Sequence, residues 1–294
     1  MLTINFNKES VPRDDDIFIL FAPDHSDVIL LEWTGERVVI PHYPHADGFE
    51  ARELSFIGMF QNRCVWCGFI SEQKVSASRI ELLKDSSLLN SLPAGQYFFI
   101  KLRYGLQLLN SDYFETCCRA RMIAHWRRRT RFCGVCGMEL QVLGTELAMQ
   151  CPVCTELYYP QISPAVIVAV HRNDELLMVK STRSSSSFYG LVAGYVEAGE
   201  TVEDAVHREV LEETKITITH VQYIKSQAWP FPNSQMLAFT ADYVSGNVCI
   251  QKEELLDAQW FKAHEIPPMP PRLSVGRFLV DRFIQKQAYQ KQAP

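Results

Sequence analysis

The sequence predicts an α+β protein in three parts, and three observations carry that prediction. From Asp16 to about Pro93, short apolar runs such as Ile17-Phe18-Ile19-Leu20-Phe21 and Val38-Val39-Ile40 alternate with polar turns, the pattern of a strand-rich domain. Two C-x2-C pairs, Cys133/Cys136 and Cys151/Cys154, then stand with 14 residues between them, a spacing that suits a four-thiolate metal ribbon. After Pro164, strand patterns mix with two helical ones, which predicts a layered domain with a helix on each side of a mixed sheet. The expected domains are an N-terminal α+β domain at residues 1–128, the ribbon at 129–160 and the layered domain at 161–294.

In chain order, Asp112 with Glu115 three residues on predicts the cap of a helix running to about Arg129. Phe114, Cys118, Met122 and Trp126 step by four along it, so Cys117 and Cys118 are expected in the core. The helix delivers the chain to the cysteines, where Gly134 and Gly137 ease the first knuckle. Four protein thiolates would fill a tetrahedral Zn2+ shell and leave no position for water, so one structural zinc per chain is expected. Cys64 and Cys67 lack a second pair and are assigned to core packing; Cys249 carries no motif.

Ala165–Val170, the turn His171–Asp174 and Leu176–Val179 predict a hairpin. A serine-rich loop at Ser181–Ser187, containing Arg183, leads into a short strand ending at Gly194. A turn at Gly199-Glu200-Thr201 precedes a helix over about Val202–Thr214. Strands follow at Val221–Ser226, Met236–Tyr243 and Ala258–Phe261, and a last helix presents Val275, Phe278, Leu279 and Phe283 on one face.

Composition narrows the function. With 294 residues, 47% of them hydrophobic, the chain can build sizeable cores, and its net charge of -5 argues against a nucleic-acid platform held by bulk charge. No apolar run approaches the ~18 residues that span a bilayer, and the first residues lack the basic and apolar regions of a signal peptide. A cytoplasmic protein without a membrane segment is expected, in which cysteines serve as metal ligands or core thiols.

The chemistry concentrates in Arg208-Glu209-Val210-Leu211-Glu212-Glu213. Glu209, Glu212 and Glu213 share one helical face at i, i+3 and i+4, where like charges destabilise the helix by about 0.2–0.5 kcal/mol per pair. A divalent ion relieves that repulsion. Carboxylate oxygens suit Mg2+ or Mn2+, whose remaining coordination positions are shared with water and substrate phosphates. Downstream, Ser226-Gln227-Ala228-Trp229-Pro230-Phe231-Pro232-Asn233-Ser234 predicts a proline-stiffened loop. Its aromatic faces suit a base, at ~1–3 kcal/mol per stacked base.

The pattern Gly194-x5-Glu200-x7-Arg208-Glu209-x2-Glu212-Glu213 resembles the Nudix box. The cysteine ribbon before it, Tyr158-Tyr159-Pro160-Gln161 and the Ser-Gln-x-Trp-Pro-Phe-Pro segment after it extend the resemblance over roughly Phe132–Phe283, to the NADH pyrophosphatase family of Nudix hydrolases. Some bacterial members of that family also remove the NAD cap from RNA.

The resemblance implies a Nudix α/β/α sandwich and hydrolysis of the pyrophosphate of NADH or NAD+ to nicotinamide mononucleotide and AMP. It implies divalent-ion ligands at Glu209, Glu213, Glu254 and the backbone carbonyl of Ala193, with Glu212 completing the cluster and helping to activate water. Arg208 and Glu200 would orient the helix, Gln227 to Ser234 would line the dinucleotide pocket, and Tyr195 and Tyr159 would flank the nicotinamide. Members are typically homodimers, and Tyr159 would come from a second subunit. Three departures stand out: the family's glycine two residues after the last glutamate, which resembles a left-handed helix C-cap, is Lys215, its Gln-Pro-Trp is Gln227-Ala228-Trp229, and its phenylalanine after the box glycine is Tyr195. Two rivals are a hydrolase of another nucleoside diphosphate conjugate such as ADP-ribose, and a non-catalytic RNA-binding zinc-ribbon protein using Arg127-Arg128-Arg129-Thr130-Arg131.

Overall fold

A computed structural model describes residues 2–3, 11–13, 15–23, 25–41, 50–71, 80–83, 86–182, 188–269 and 273–292. The chain divides into two units, Met1–Gln161 and Ile162–Pro294. Residues 183–187 of the serine-rich segment, Arg183 included, lie outside the described residues. Among the described residues no helix is long and apolar enough to cross a membrane.

The first unit carries a seven-stranded sheet of β1 (Ile17–Ala22), β2 (His25–Trp33), β3 (Val38–Val39), β4 (Ala51–Phe60), β5 (Arg63–Ile70), β6 (Ile80–Leu83) and β7 (Gln96–Lys101). Its order is β4-β5-β1-β2-β7-β6, with β3 paired to β2. All six residues of β1 are buried, which is why that strand is a continuous apolar run with no alternation. Along β5 the side chains alternate, so Cys64 and Cys67 project to opposite faces and form no dithiol. Burial pushes the Cys67 thiol up to about 12.

After α1 (Leu102–Leu108), α2 (Phe114–Arg129) buries Cys117, Cys118 and Trp126. Its expected cap is corrected. Asn110 Oδ1 accepts from the Asp112 amide at 3.1 Å and opens a 3-10 turn, Ser111–Tyr113, that runs into the helix. The basic helix end is held internally. Arg127 donates to Ser55 Oγ at 2.5 Å and to the Leu54 carbonyl at 3.1 Å. Arg128 donates to the Pro23 carbonyl at 2.8 Å and lies 4.6 Å from the Phe69 ring centroid. Trp126 packs with Cys133, Leu140, Met149 and Cys151 as the core of the ribbon, whose sheet joins β8 (Gln141–Leu143), β9 (Ala148–Gln150) and β10 (Leu157–Tyr158).

The second unit is a mixed sheet between two helices. Its strands are β11 (Ser163–Arg172), β12 (Glu175–Ser181), β13 (Val192–Tyr195), β14 (Thr217–Trp229), β15 (Ser234–Ser245) and β16 (Leu255–Lys262). They order as β14-β15-β11-β12-β16, with β13 paired to β11 and only β11–β15 parallel. Strand alternation divides the core. Val166, Val168, Val170, Leu177 and Val179 pack against Val206 and Val210 of α3 (Val202–Thr214). Ala169, Leu176 and Met178 pack against Val275, Leu279, Val280 and Phe283 of α4 (Val275–Gln292).

Two expectations change here. Phe278 is 41% exposed, with Lys225 Nζ 4.7 Å from its ring centroid, and the buried position is Val280. Ser226–Trp229 continue β14 and Ser234 begins β15, so the expected long loop is a hairpin with only Pro230–Asn233 in its turn.

Candidate active site and metal ribbon

α3 begins at Thr201, whose Oγ1 accepts from the Asp204 amide at 3.1 Å. Glu203 and Asp204 in its first turn oppose the helix dipole favourably. The helix turns Ala205, Val206 and Val210 into the core, and the same face buries Glu209 and Glu213. Gly194 of β13 makes room for the first of these: a Cβ there would lie 1.9 Å from Glu209 Cδ. Only a glycine lets the carboxylate sit on the strand, beside the exposed Ala193.

Arg208 organises the acids. Its Nε and Nη2 donate to the two oxygens of Glu200 at 2.7 and 2.9 Å, and Nη2 also donates to the Tyr195 carbonyl at 2.8 Å. Nη1 donates to Glu209 at 2.8 Å and to Glu212 at 3.3 Å. With the Glu197 amide as a further donor, the Arg208 hydrogen bonds hold the Glu200 carboxyl down at about 2. Glu209 moves the other way. Burial raises its pKa against the pull of Arg208, and the charges of Glu212 and Glu254 add to the rise.

Glu254, the residue preferred over its neighbour Glu253 as a ligand, is among the charges that raise Glu209. The turn bearing it is tied to the end of α3, where the Gln251 amide donates to the Glu213 carbonyl at 3.0 Å, and to Thr182, whose amide donates to the Glu254 carbonyl at 2.8 Å. No three of the glutamates among the described residues bring their oxygens within 4.8 Å of one another. Among the described residues, the metal-ligating side chains whose ligand atoms all lie within 4.8 Å are Cys133, Cys136, Cys151 and Cys154. Even so, the glutamates fit a divalent cation: the donors are hard oxygens, and a carboxylate destabilised by burial is relieved by positive charge.

At the other expected pocket, Tyr195 Oη lies 3.3 Å from Ser234 Oγ. Trp229 and Phe231 pack edge to face on each other at 5.3 Å, across the turn that holds Pro230, the cis Phe231-Pro232 bond and Asn233. Gln227, next to Ala228, donates to the Leu273 carbonyl at 2.8 Å and accepts from the Val275 amide at 2.7 Å, so its amide holds the start of α4. A cavity of about 220 Å³ lies between these elements, lined by Tyr189, Gln227, Trp229, Met236, Gly276 and Arg277. Tyr189, Met236, Gly276 and Arg277 escape the sequence reading because they come from separate elements and share no motif. In the first unit, Tyr159 is 51% exposed and donates to Glu146 at 3.1 Å.

The ribbon is built on two knuckles. Gly137 (φ +75°) and Thr155 (φ +62°) follow the second cysteine of each pair in left-handed conformations. Their amides donate to the Cys133 and Cys151 carbonyls at 2.9 and 3.1 Å. Gly134 is not left-handed; its amide donates to Tyr158 Oη at 2.8 Å. That hydroxyl also sits 3.3 Å from Cys133 Sγ and helps bring the thiol down to about 6. This favours a thiolate at Cys133, whereas at Cys136 and Cys154 the pull of backbone amides is overcome by the neighbouring sulfurs, which push both thiols up.

The family model "NUDIX domain" matches residues 162–279, and the model "NADH pyrophosphatase zinc ribbon domain" matches residues 128–159. A protein of Pseudomonas aeruginosa strain LESB58 named "NAD-capped RNA hydrolase NudC" is 44% identical over 62% of this chain and 66% of its own length. Proteins of that name from Pseudomonas putida strain W619 and Yersinia pestis strain Pestoides F are 41% and 46% identical, over 64% and 68% of their lengths and 60% of this chain in each case. The chain spans about two thirds of the length of these relatives.

Proposed function

Because the chain belongs to the NADH pyrophosphatase family of Nudix hydrolases, with its zinc ribbon, we propose that it hydrolyses the pyrophosphate of NADH or NAD+ to nicotinamide mononucleotide and AMP, and removes the NAD cap from RNA. One observation carries the reading most directly: the Glu209 carboxylate is seated on Gly194, destabilised by burial and fastened to Arg208. The relatives' printed name supports the substrate class.

Under this reading Glu209, Glu213, Glu254 and the Ala193 carbonyl hold one or more divalent ions, Mg2+ or Mn2+. Such ions neutralise phosphate oxygens and supply an acidified water for in-line attack. Glu212, with a side chain 54% exposed, completes the carboxylate cluster and helps to activate water. Arg208 and Glu200 keep α3 in register with β13. Tyr195 and the segment Gln227–Ser234 line the dinucleotide site, with Tyr159 donated by a second subunit, and positioning with electrostatics carries the rate.

The zinc of the four cysteines serves the fold. The assembly is a homodimer in the cytoplasm, which sedimentation and fractionation would check. The rival in which the chain only binds RNA through the arginines at the end of α2 loses support, since Arg127 and Arg128 are engaged within their own unit.

Product analysis with Mg2+ or Mn2+ on NADH, NAD+, ADP-ribose and NAD-capped RNA tests the proposal. Cleavage of the NAD compounds, with kcat lowered at least 100-fold in Glu213→Gln, is expected. Intact NADH, or a variant as active as the parent, would defeat it.

A further inference from the structure

The geometry points to a phosphate-binding track along α4 for the RNA chain that follows an NAD cap, a role that rests on the proposed function. Phe278, Arg282 and Lys286 stand at i, i+4 and i+8, so they form one exposed stripe of the helix. The stripe is apolar where α4 begins, and Val275, Gly276 and Arg277 at that end line the cavity shared with Trp229 and Gln227. At its far end it turns basic.

There α4 borders two adjoining cavities. One, of about 310 Å³, is lined by His171, His220, Gln222, Thr240, Arg282 and Lys286. The other, of about 550 Å³, shares His171, Asp242, Phe283 and Lys286 with it and adds Arg172, Asn173, Tyr243 and Gln287. β14 runs beside the helix from Gln227, bonded to Val275, to Gln222 and His220 at the basic end. Between the two ends Lys225 lies over the Phe278 ring. The exposed Phe278, absent from the core where the sequence placed it, thus belongs to this face.

The charge count favours an anion. Asp242 is 3.1 Å from His220, and Asp281 accepts from Arg277 at 2.8 Å. Arg282 and Lys286, both exposed, face the cavities as two cations against the one carboxylate of Asp242, whose partner His220 carries charge only when protonated. The buried His171 Nε2 has no hydrogen-bond partner, and its ring stacks on Phe283 at 5.5 Å.

From Val275 to Lys286 the helix rises about 16 Å, at 1.5 Å per residue. That length takes a few nucleotides at a phosphate rise of ~3.4 Å. A nucleotide chain leaving the aromatic pocket would pass Lys225 and reach Arg282 and Lys286. Arg127 and Arg128, the residues the sequence suggested for RNA, are engaged elsewhere.

The test uses the full-length protein with a ten-nucleotide RNA lacking any cap, read by fluorescence anisotropy at several salt concentrations, beside turnover of NADH. In Arg282→Ala/Lys286→Ala we expect Kd to rise about tenfold and the salt slope to fall by about 1.4, at ~0.7 per phosphate neutralised on a single strand. Turnover of NADH should stay within twofold of the parent, and Lys286→Glu alone should weaken RNA further than Lys286→Ala. An unchanged Kd and slope overturns the track. So does inorganic phosphate competing as well as RNA, which would assign the groove to a free anion, or a parallel loss of NADH turnover. RNA binding lost in the variant of a protein that cleaves no NAD compound would keep the track and overturn the proposed function instead.

Discussion

The cysteine ribbon and the glutamate helix both crowd acidic groups, yet the chain treats them in opposite ways. In the ribbon the four sulfurs lie within 4.8 Å of one another, and amides and a tyrosine hydroxyl already point at them. On α3 no three carboxylates of the described residues gather so closely, and an arginine from the same turn bonds two of them. A closed ligand set suits a metal that holds a fold, and an open one suits a metal that must share its shell with a substrate. The difference lies in the backbone: two knuckles fold over one point in the ribbon, whereas α3 lines its acids along one side.

Metal removal should separate the two regions most sharply. A strong zinc chelator, or Cys151→Ser, should release one zinc per chain and unfold the ribbon, because structural zinc sites contribute ~10–16 kcal/mol in isolated fingers. Metal analysis and proteolysis at residues 129–160 would read this. Withholding Mg2+ or Mn2+ should abolish turnover and leave the ribbon intact. Loss of the ribbon on withholding magnesium would erase the distinction.

Next in size is Gly194→Ala. Its methyl would fall on the Glu209 carboxylate, so overpacking of about 1–3 kcal/mol is expected, with kcat down at least tenfold as Glu209 is displaced. Near-normal kcat would show that Glu209 need not rest on the strand.

Much of this was legible because short-range spacing carried it. The cysteine pairs, Gly194, Glu209, Glu212, Glu213 and the left-handed Lys215 all belong to local motifs whose geometry follows from knuckle, strand or helix. What escaped depends on distant partners. Nothing in the sequence indicates that Gln227 bonds the backbone 46 and 48 residues on, or that Tyr189 donates to Asp257 Oδ2. The cap at Asp112 failed for a local reason: Asn110 competes for the same amide and wins it. Phe278 failed because helical periodicity defines a face without saying where its edge meets the sheet.

pH gives a smaller and signed contrast within α3. The folded Glu200 carboxyl, at about 2, lies below its ordinary 4.5. Its stabilising contribution is therefore full above that ordinary value and is lost as pH falls toward 2. Glu209 is raised by burial, so its destabilising contribution is absent in acid and grows as pH rises through its folded pKa. Without divalent ions the Tm should climb on acidification from neutrality and then fall below about pH 4.5 as Glu200 begins to protonate. Mn2+ or Glu209→Gln should flatten the climb. A Tm that falls steadily from neutrality, identical with and without Mn2+, would remove Glu209 as the ion's site.

The smallest effects compare the same backbone problem in both regions. Lys215 ends α3 at φ +60°, with its amide donating to the Leu211 carbonyl at 2.9 Å, and Thr155 closes the second knuckle at φ +62°, where the first knuckle has Gly137. A left-handed L-residue costs ~1–2 kcal/mol, partly offset because glycine loses more chain entropy on folding. Lys215→Gly should thus stabilise by about 0.5–1 kcal/mol, raising Tm by ~2–4 °C, and leave kcat unchanged since no ligand moves. Thr155→Gly should gain more, because a β-branched side chain fits this conformation worst. Its gain should appear as slower zinc release to a chelator, whereas Lys215→Gly should not alter that rate. Equal effects of both on zinc release would mean that the two regions unfold together, and that the ribbon does not rely on its own metal in the way argued here.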